Sequence, residues 1–99
     1  MNIVKPSTVL NQNREAIRSL VAQYRVTNPR VFGSTARNED HDGSDLDLLV
    51  DALPGTTLFH LGDLQYAIEQ LLGVPVDLRT PGDLPIQFRQ KVVADARPL

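Results

Sequence analysis

The chain contains no cysteine. That excludes disulfides and thiolate metal sites, and it suits a cytoplasmic protein. Long apolar runs are also missing. The N-terminal MNIVKPSTVLNQNRE has no hydrophobic stretch of signal-peptide length and no small-residue cleavage site. No segment approaches the length needed to span a bilayer, so a soluble protein with no membrane association is expected. An excess of basic residues is lacking too: the net charge is −2 and Lys and Arg are scattered. Without a basic stripe, no direct nucleic-acid partner is expected. Internal repeats and low-complexity segments are absent. What remains is 99 residues, 41% hydrophobic and 22% charged, a balance that argues against disorder and suits one folded domain over residues 1–99.

The apolar pattern predicts the order of elements. A first helix is expected after Pro6 with Ser7 as its N-cap. Val9, Ile17, Leu20, Val21 and Tyr24 form its apolar face, with Gln12, Arg14, Glu15 and Arg18 outward. Asn28-Pro29 ends this element and launches the next. Arg30 to Phe32 is a short strand closed by a turn at Gly33-Ser34, and residues 38–44 are a polar loop. Asp45 to Asp51 alternates as a second strand, with Leu46, Leu48 and Val50 on one face and Asp45, Asp47 and Leu49 on the other. After Pro54-Gly55, Thr56 or Thr57 caps a helix to Leu72 with Leu58, Leu61, Leu64, Ile68, Leu71 and Leu72 as its buried stripe. Gly62 weakens this helix by about 1 kcal/mol relative to Ala, and Gly73 stops it. Val74 to Arg79 alternates as a third strand. Pro81-Gly82 turns the chain, and Asp83 caps a last helix with Leu84, Phe88, Val92 and Ala96 at i, i+4 spacing. The expected class is α/β (α+β), a small mixed sheet with helices packed against it.

One segment carries chemistry: Gly33-Ser34-Thr35-Ala36-Arg37, then Ser44-Asp45-Leu46-Asp47-Leu48. Two positions apart on a strand, the Asp45 and Asp47 carboxylates share a face and repel. A divalent cation relieves that repulsion and takes the hard oxygen ligands that Mg²⁺ prefers. Gly33 lets the backbone come close to a ligand. The first N–H groups of a helical turn over Thr35 to Arg37, with the Ser34 hydroxyl, suit an anion. A Mg²⁺-bound triphosphate needs both halves. If the third strand lies beside the second, Asp77 joins the same face, completes a two-metal site and is the best candidate to take a proton from an acceptor hydroxyl.

Gly33-Ser34, ten residues, then Asp45-x-Asp47 resembles the signature of the DNA polymerase β-like nucleotidyltransferase superfamily. Phe32 to Arg37, Gly43 to Leu48 and Glu69 to Leu78 are closer still to its smallest branch, the minimal nucleotidyltransferases, and the resemblance runs from about Val31 to the end. It implies the polymerase β-like nucleotidyltransferase fold. It implies triphosphate binding at Gly33 and Ser34 and metal binding and catalysis by Asp45, Asp47 and Asp77, with Mg²⁺ as cofactor and ATP as substrate; Thr35 and Arg37, in the turn that follows, are further candidates for nucleotide binding. Small members of the branch are often encoded beside a HEPN-domain toxin. There the nucleotidyltransferase is the antitoxin and transfers AMP to a tyrosine of the toxin. The chain departs from the pattern at Asn38, where Gly is common; Asn tolerates left-handed backbone. Glu39, Asp40 and Asp42 are extra acids whose repulsion slows an approaching triphosphate.

Plainer readings stand beside these. Arg37 pairs with a loop carboxylate or touches phosphate, and the two are evenly matched. Thr35 offers a backbone N–H alone. His41 is a solvated loop histidine, His60 an ordinary surface residue, and Tyr24 and Tyr66 edge the core. Two other functions compete with AMP transfer: an antitoxin that neutralises its toxin by binding alone, and a nucleotidyltransferase acting on small molecules. The second lacks sequence to build an acceptor-binding domain.

Overall fold

The computed structural model describes residues 5–99. Residues 1–4, part of the segment read above for a signal peptide, lie outside the described residues.

The N-terminal helix is two helices, α1 (Pro6–Gln12) and α2 (Arg14–Val21). The break falls at Asn13, whose Nδ2 donates to the Val9 carbonyl at 2.8 Å. A side chain that bonds the preceding turn competes with helix continuation. Ser7 is not the N-cap; it lies inside α1, behind Lys5. The acceptor comes from far along the chain, since the Ser7 N–H donates to Asp40 Oδ2 at 2.9 Å.

Strand β1 (Val26–Phe32) begins earlier than its apolar residues suggest and takes in Asn28-Pro29. The pairing register shifts between Thr27 and Arg30, and Asn28 has φ 56°. This bulge tolerates a proline that regular strand pairing would reject. A one-turn helix α3 (Gly33–Ala36) follows, then β2 (Leu46–Ala52), α4 (Leu58–Leu72) and β3 (Val76–Arg79). A 3₁₀ turn over Pro81–Asp83 leads to α5 (Ile86–Asp95) and a two-residue strand β4 (Arg97–Pro98). The order in the sheet is β3-β2-β1-β4. β2 runs antiparallel to β1 and parallel to β3, so the sheet is mixed, as expected for a polymerase β-like nucleotidyltransferase fold.

Local chemistry explains α4. Thr57 caps it: its hydroxyl accepts from the His60 N–H, while His60 Nδ1 accepts from the Thr57 N–H at 3.0 Å. His60 thus completes a capping box, a structural role the sequence reading missed. Gly73 ends the helix in the left-handed region at φ 73°. Leu64, Ile68 and Leu72 are buried, but Leu58 and Leu71 are exposed, which narrows the expected stripe.

The core lies between one face of the sheet and helices α1, α2 and α4. Val31, Leu46, Leu48, Val50, Val76 and Leu78 meet Leu10, Ile17, Val21, Leu64 and Ile68 there. Two side chains of α4 reach the outer edge of β3. Glu69 Oε2 accepts the Val76 N–H at 2.9 Å and Gln65 Oε1 the Leu78 N–H at 3.1 Å. That covers donors an edge strand would otherwise leave open. The opposite face of the sheet holds two rows of register partners, Phe32–Asp47–Asp77 and Arg30–Leu49–Arg79. Leu49 is fully buried on that face, where the 3₁₀ turn touches β2. Asp83 accepts from Thr80 and closes the 3₁₀ turn, so it does not cap α5. No residue of α5 is buried, and its expected stripe is correspondingly open, with Phe88 57% exposed.

Candidate active site

The sheet topology decides where the acids go. Asp47 on β2 and Asp77 on β3 are register partners, and neighbouring strands lie roughly 4.8 Å apart. Their carboxylates therefore emerge side by side on the face away from the core. Asp45 is exposed just before β2. The loop that delivers it is closed by Ser44, whose hydroxyl accepts from the His41 N–H at 3.0 Å and whose N–H donates to the His41 carbonyl at 2.9 Å. His41 itself is exposed, a loop histidine as expected.

Asp47 is the electrostatic centre. Burial, then the charges of Asp77 and Asp45, push its carboxyl up to about 6, with Arg79 and Arg37 pulling the other way. At neutral pH the site thus holds a partly desolvated carboxylate crowded by two more. That is a donor set of hard oxygens with more negative charge than the protein neutralises, and it fits a divalent cation. Among the described residues, no three His, Asp or Glu side chains are gathered as a ready metal cage. Asp77 is already engaged: Arg79 Nε donates to both of its carboxylate oxygens, at 3.1 Å each. Arg79 lies two residues on, on the same strand face, so its role as counter-charge was open to sequence reasoning and was missed.

Gly33 roofs the acid. It opens α3 with φ 69°, and a Cβ there would overlap Asp47 Oδ2 and lie 3.1 Å from Asp47 Cγ. Only glycine lets the β1–α3 junction sit this close to the carboxylate. No side chain caps the first turn of α3, which begins over the acidic pair with Ser34 half-buried beside Gly33. Thr35 points elsewhere. It is buried, its hydroxyl has no partner among the described residues, and it lines a small cleft with Ser7, Leu10 and Asn11 on the α1 side. Any contact it makes at the site is through its backbone. Arg37 is exposed and pairs with Glu39, Nε to Oε1 at 3.4 Å, the plainer of its two expected roles, although its charge still acts on Asp47. Asn38 takes the left-handed turn at φ 57°. Of the loop acids, Asp40 is buried against α1.

Two clefts flank the acids. One, about 270 Å³, lies beside Asp77 and Arg79 under Leu58 and Leu61 of α4. The other, about 280 Å³, lies between Gly33 and α5. Among the described residues, no helix is long and apolar enough to cross a membrane.

Known proteins are similar to this chain in sequence and in fold. A family model described as nucleotidyltransferase domain matches residues 10–99. Two curated proteins of Methanocaldococcus jannaschii, each bearing the name "Putative protein adenylyltransferase", are similar along nearly their whole lengths. One is 31% identical over 87 residues, 88% of this chain and 94% of the relative. The other is 31% identical over 90 residues, 87% of this chain and 92% of the relative. A solved structure described as a "putative minimal nucleotidyltransferase" superposes with a TM-score of 0.84 at 43% identity, covering 94% of this chain and 95% of that one. A toxin–antitoxin structure with AMP-PNP gives 0.74 at 23% identity over 87% of this chain and 71% of that one, a likeness of fold.

Proposed function

The chain belongs to the nucleotidyltransferase domain family, and we propose that it transfers AMP from ATP, with Mg²⁺, to a hydroxyl of a partner protein. The observation that carries this reading is the crowding of Asp47 by Asp45 and Asp77 directly beneath the Gly33 turn. The relatives' name, protein adenylyltransferase, supports AMP as the group moved and a protein as acceptor. Structural neighbours that are toxin–antitoxin complexes support a toxin as the partner. A tyrosine of a HEPN-type toxin is the acceptor proposed here, which makes this chain the antitoxin.

In this mechanism Asp45, Asp47 and Asp77 would hold the cation, with room in the three carboxylates' ligand set for two ions. Bound there, Mg²⁺ neutralises triphosphate charge and lowers the pKa of an oxygen it contacts. Gly33 and Ser34 orient the triphosphate through backbone N–H groups and the Ser34 hydroxyl. The acceptor hydroxyl enters on the β3 side, where Asp77 takes its proton once Arg79 releases the carboxylate. A bond forms from the acceptor oxygen to the α-phosphorus of ATP. The bond from that phosphorus to the bridging oxygen breaks, and pyrophosphate leaves.

The Arg79–Asp77 pair also favours a second reading, in which the site stays idle and the chain neutralises a toxin by binding alone. Intact-mass spectrometry of the HEPN partner after incubation with ATP and Mg²⁺ separates the two. One AMP of added mass per modification, absent with Asp45→Asn, supports transfer. An unmodified partner that Asp45→Asn still neutralises supports occlusion.

A further inference from the structure

Apart from Gly33, the cleft between Gly33 and α5 has no part in the chemistry assigned above. It holds about 280 Å³ and is lined by Phe32, Gly33, Arg37, Phe88, Lys91 and Asp95. Its volume falls just below the usual range for ligand pockets, roughly 300–1,000 Å³, and has room for a group the size of a nucleoside. Phe88 stands in its wall 57% exposed, on a helix none of whose residues is buried. More than half of this aromatic residue's surface is open, and Phe32 of β1 lines the same cleft.

Two geometric facts select the occupant. Gly33 is shared: the residue that roofs Asp47 is also a wall of this cleft. Triphosphate oxygens held at Gly33 therefore place the rest of the nucleotide either here or on the β3 side. The β3 cleft, with Asp77 and Arg79 in its wall, is where the acceptor hydroxyl must stand for Asp77 to take its proton. The α5 cleft is what remains for the nucleoside. Its chemistry agrees. A phenyl ring gives a nucleobase a stacking face, Arg37 and Lys91 bring positive charge near phosphate and ribose, and Asp95 can accept a hydrogen bond from a base amino group.

We propose that this cleft seats the nucleoside of the bound triphosphate, with the base stacked on Phe88. The inference rests on the proposed function above and adds the residues that hold the nucleoside.

The chain contains no tryptophan, so Phe88→Trp places the sole tryptophan, which can be excited selectively over the tyrosines, at the seat. Mg²⁺ with ATP is expected to quench it, and Mg²⁺ with inorganic tripolyphosphate is not. In isothermal titration, Phe88→Ala and Phe88→Leu are expected to weaken ATP binding roughly five- to a hundredfold, the range for losing one stacked base, with tripolyphosphate binding unchanged. Phe88 is exposed, so both variants should melt with the wild type. Leu, which keeps apolar bulk without a ring, separates stacking from packing. Wild-type affinities equal for ATP and tripolyphosphate would overturn the seat, as would an Ala variant that binds ATP normally. So would an Ala variant that loses only its hold on a partner protein, which would make the cleft a docking surface. A wild type that binds neither compound would overturn the proposed function itself, and the seat with it.

Discussion

Gly33 and Asp47 share one volume: Asp47 Oδ2 occupies the space that a side chain at Gly33 would fill. The backbone there is left-handed at φ 69°, which an alanine resists by roughly 1–2 kcal/mol before any overlap is counted. Gly33→Ala is predicted to lower stability by about 2 kcal/mol and to displace the acid. Transfer should fall by at least tenfold at a temperature where the variant remains folded. Thermal melts beside turnover check this; a variant that melts and turns over like the wild type would refute the contact.

Asp47 also fixes a pH signature. Its carboxyl is raised to about 6, by burial first and then by Asp77 and Asp45. Between the ordinary value of 3.8 and about 6 the folded protein holds more protons than the unfolded chain, so stability falls as pH rises through that window. Asp47→Asn is therefore predicted to melt higher than the metal-free wild type at pH 7.5 and to match it near pH 4. Saturating Mg²⁺ should reverse the order at pH 7.5, because the wild type gains stability from binding and the variant does not. Melts across pH with and without the cation test both signs.

Arg79 competes for Asp77. Both side chains are about two-fifths exposed, and pairs in such positions contribute at most about 1 kcal/mol. Arg79→Gln is predicted to bind Mn²⁺ or Mg²⁺ two- to fivefold more tightly by calorimetry, and to melt lower without it. The same substitution in an Asp77→Asn background should change affinity less. An unchanged affinity in both backgrounds would show that Arg79 is not the resident counter-charge.

Asp40 works for the fold. It is buried, and its burial opposes ionisation, yet hydrogen bonds from Ser7 and the charge of Lys5 hold its carboxyl below the ordinary range. A lowered acid adds stability above the unfolded value that is lost as pH falls through the folded one. Asp40→Asn is predicted to cost about 1 kcal/mol at pH 7, the scale of a helix cap, with the deficit shrinking in acid. Urea unfolding at both pH values measures it.

The legible parts of this protein are those set by local chemistry. Thr56 or Thr57 and Gly73 marked the ends of α4, and alternation placed Asp47 opposite Leu46, Leu48 and Val50 and Asp77 opposite Val76 and Leu78. What was not legible depended on distant partners. Asn28-Pro29 reads as a break but lies inside β1, because a bulge absorbs it. β4 is two residues long and exists because the edge of β1 accepts it. The i, i+4 spacing of Leu84, Phe88, Val92 and Ala96 reads as one apolar face. Of them only Leu84, ahead of α5, is buried, and no residue of α5 itself is. Arg79 was visible as a neighbour of Asp77 on the same face, but its hold on both carboxylate oxygens required the structure.

The central claim, that this chain moves AMP, is tested most directly by label transfer with the partner present. ATP labelled at the α-phosphorus and ATP labelled at the γ-phosphorus are each incubated with Mg²⁺, this chain and the candidate toxin. The account predicts α-label on the toxin, no γ-label, and neither with Asp45→Asn. Label from the γ-position, or none from either with a folded protein bound to its partner, would contradict it.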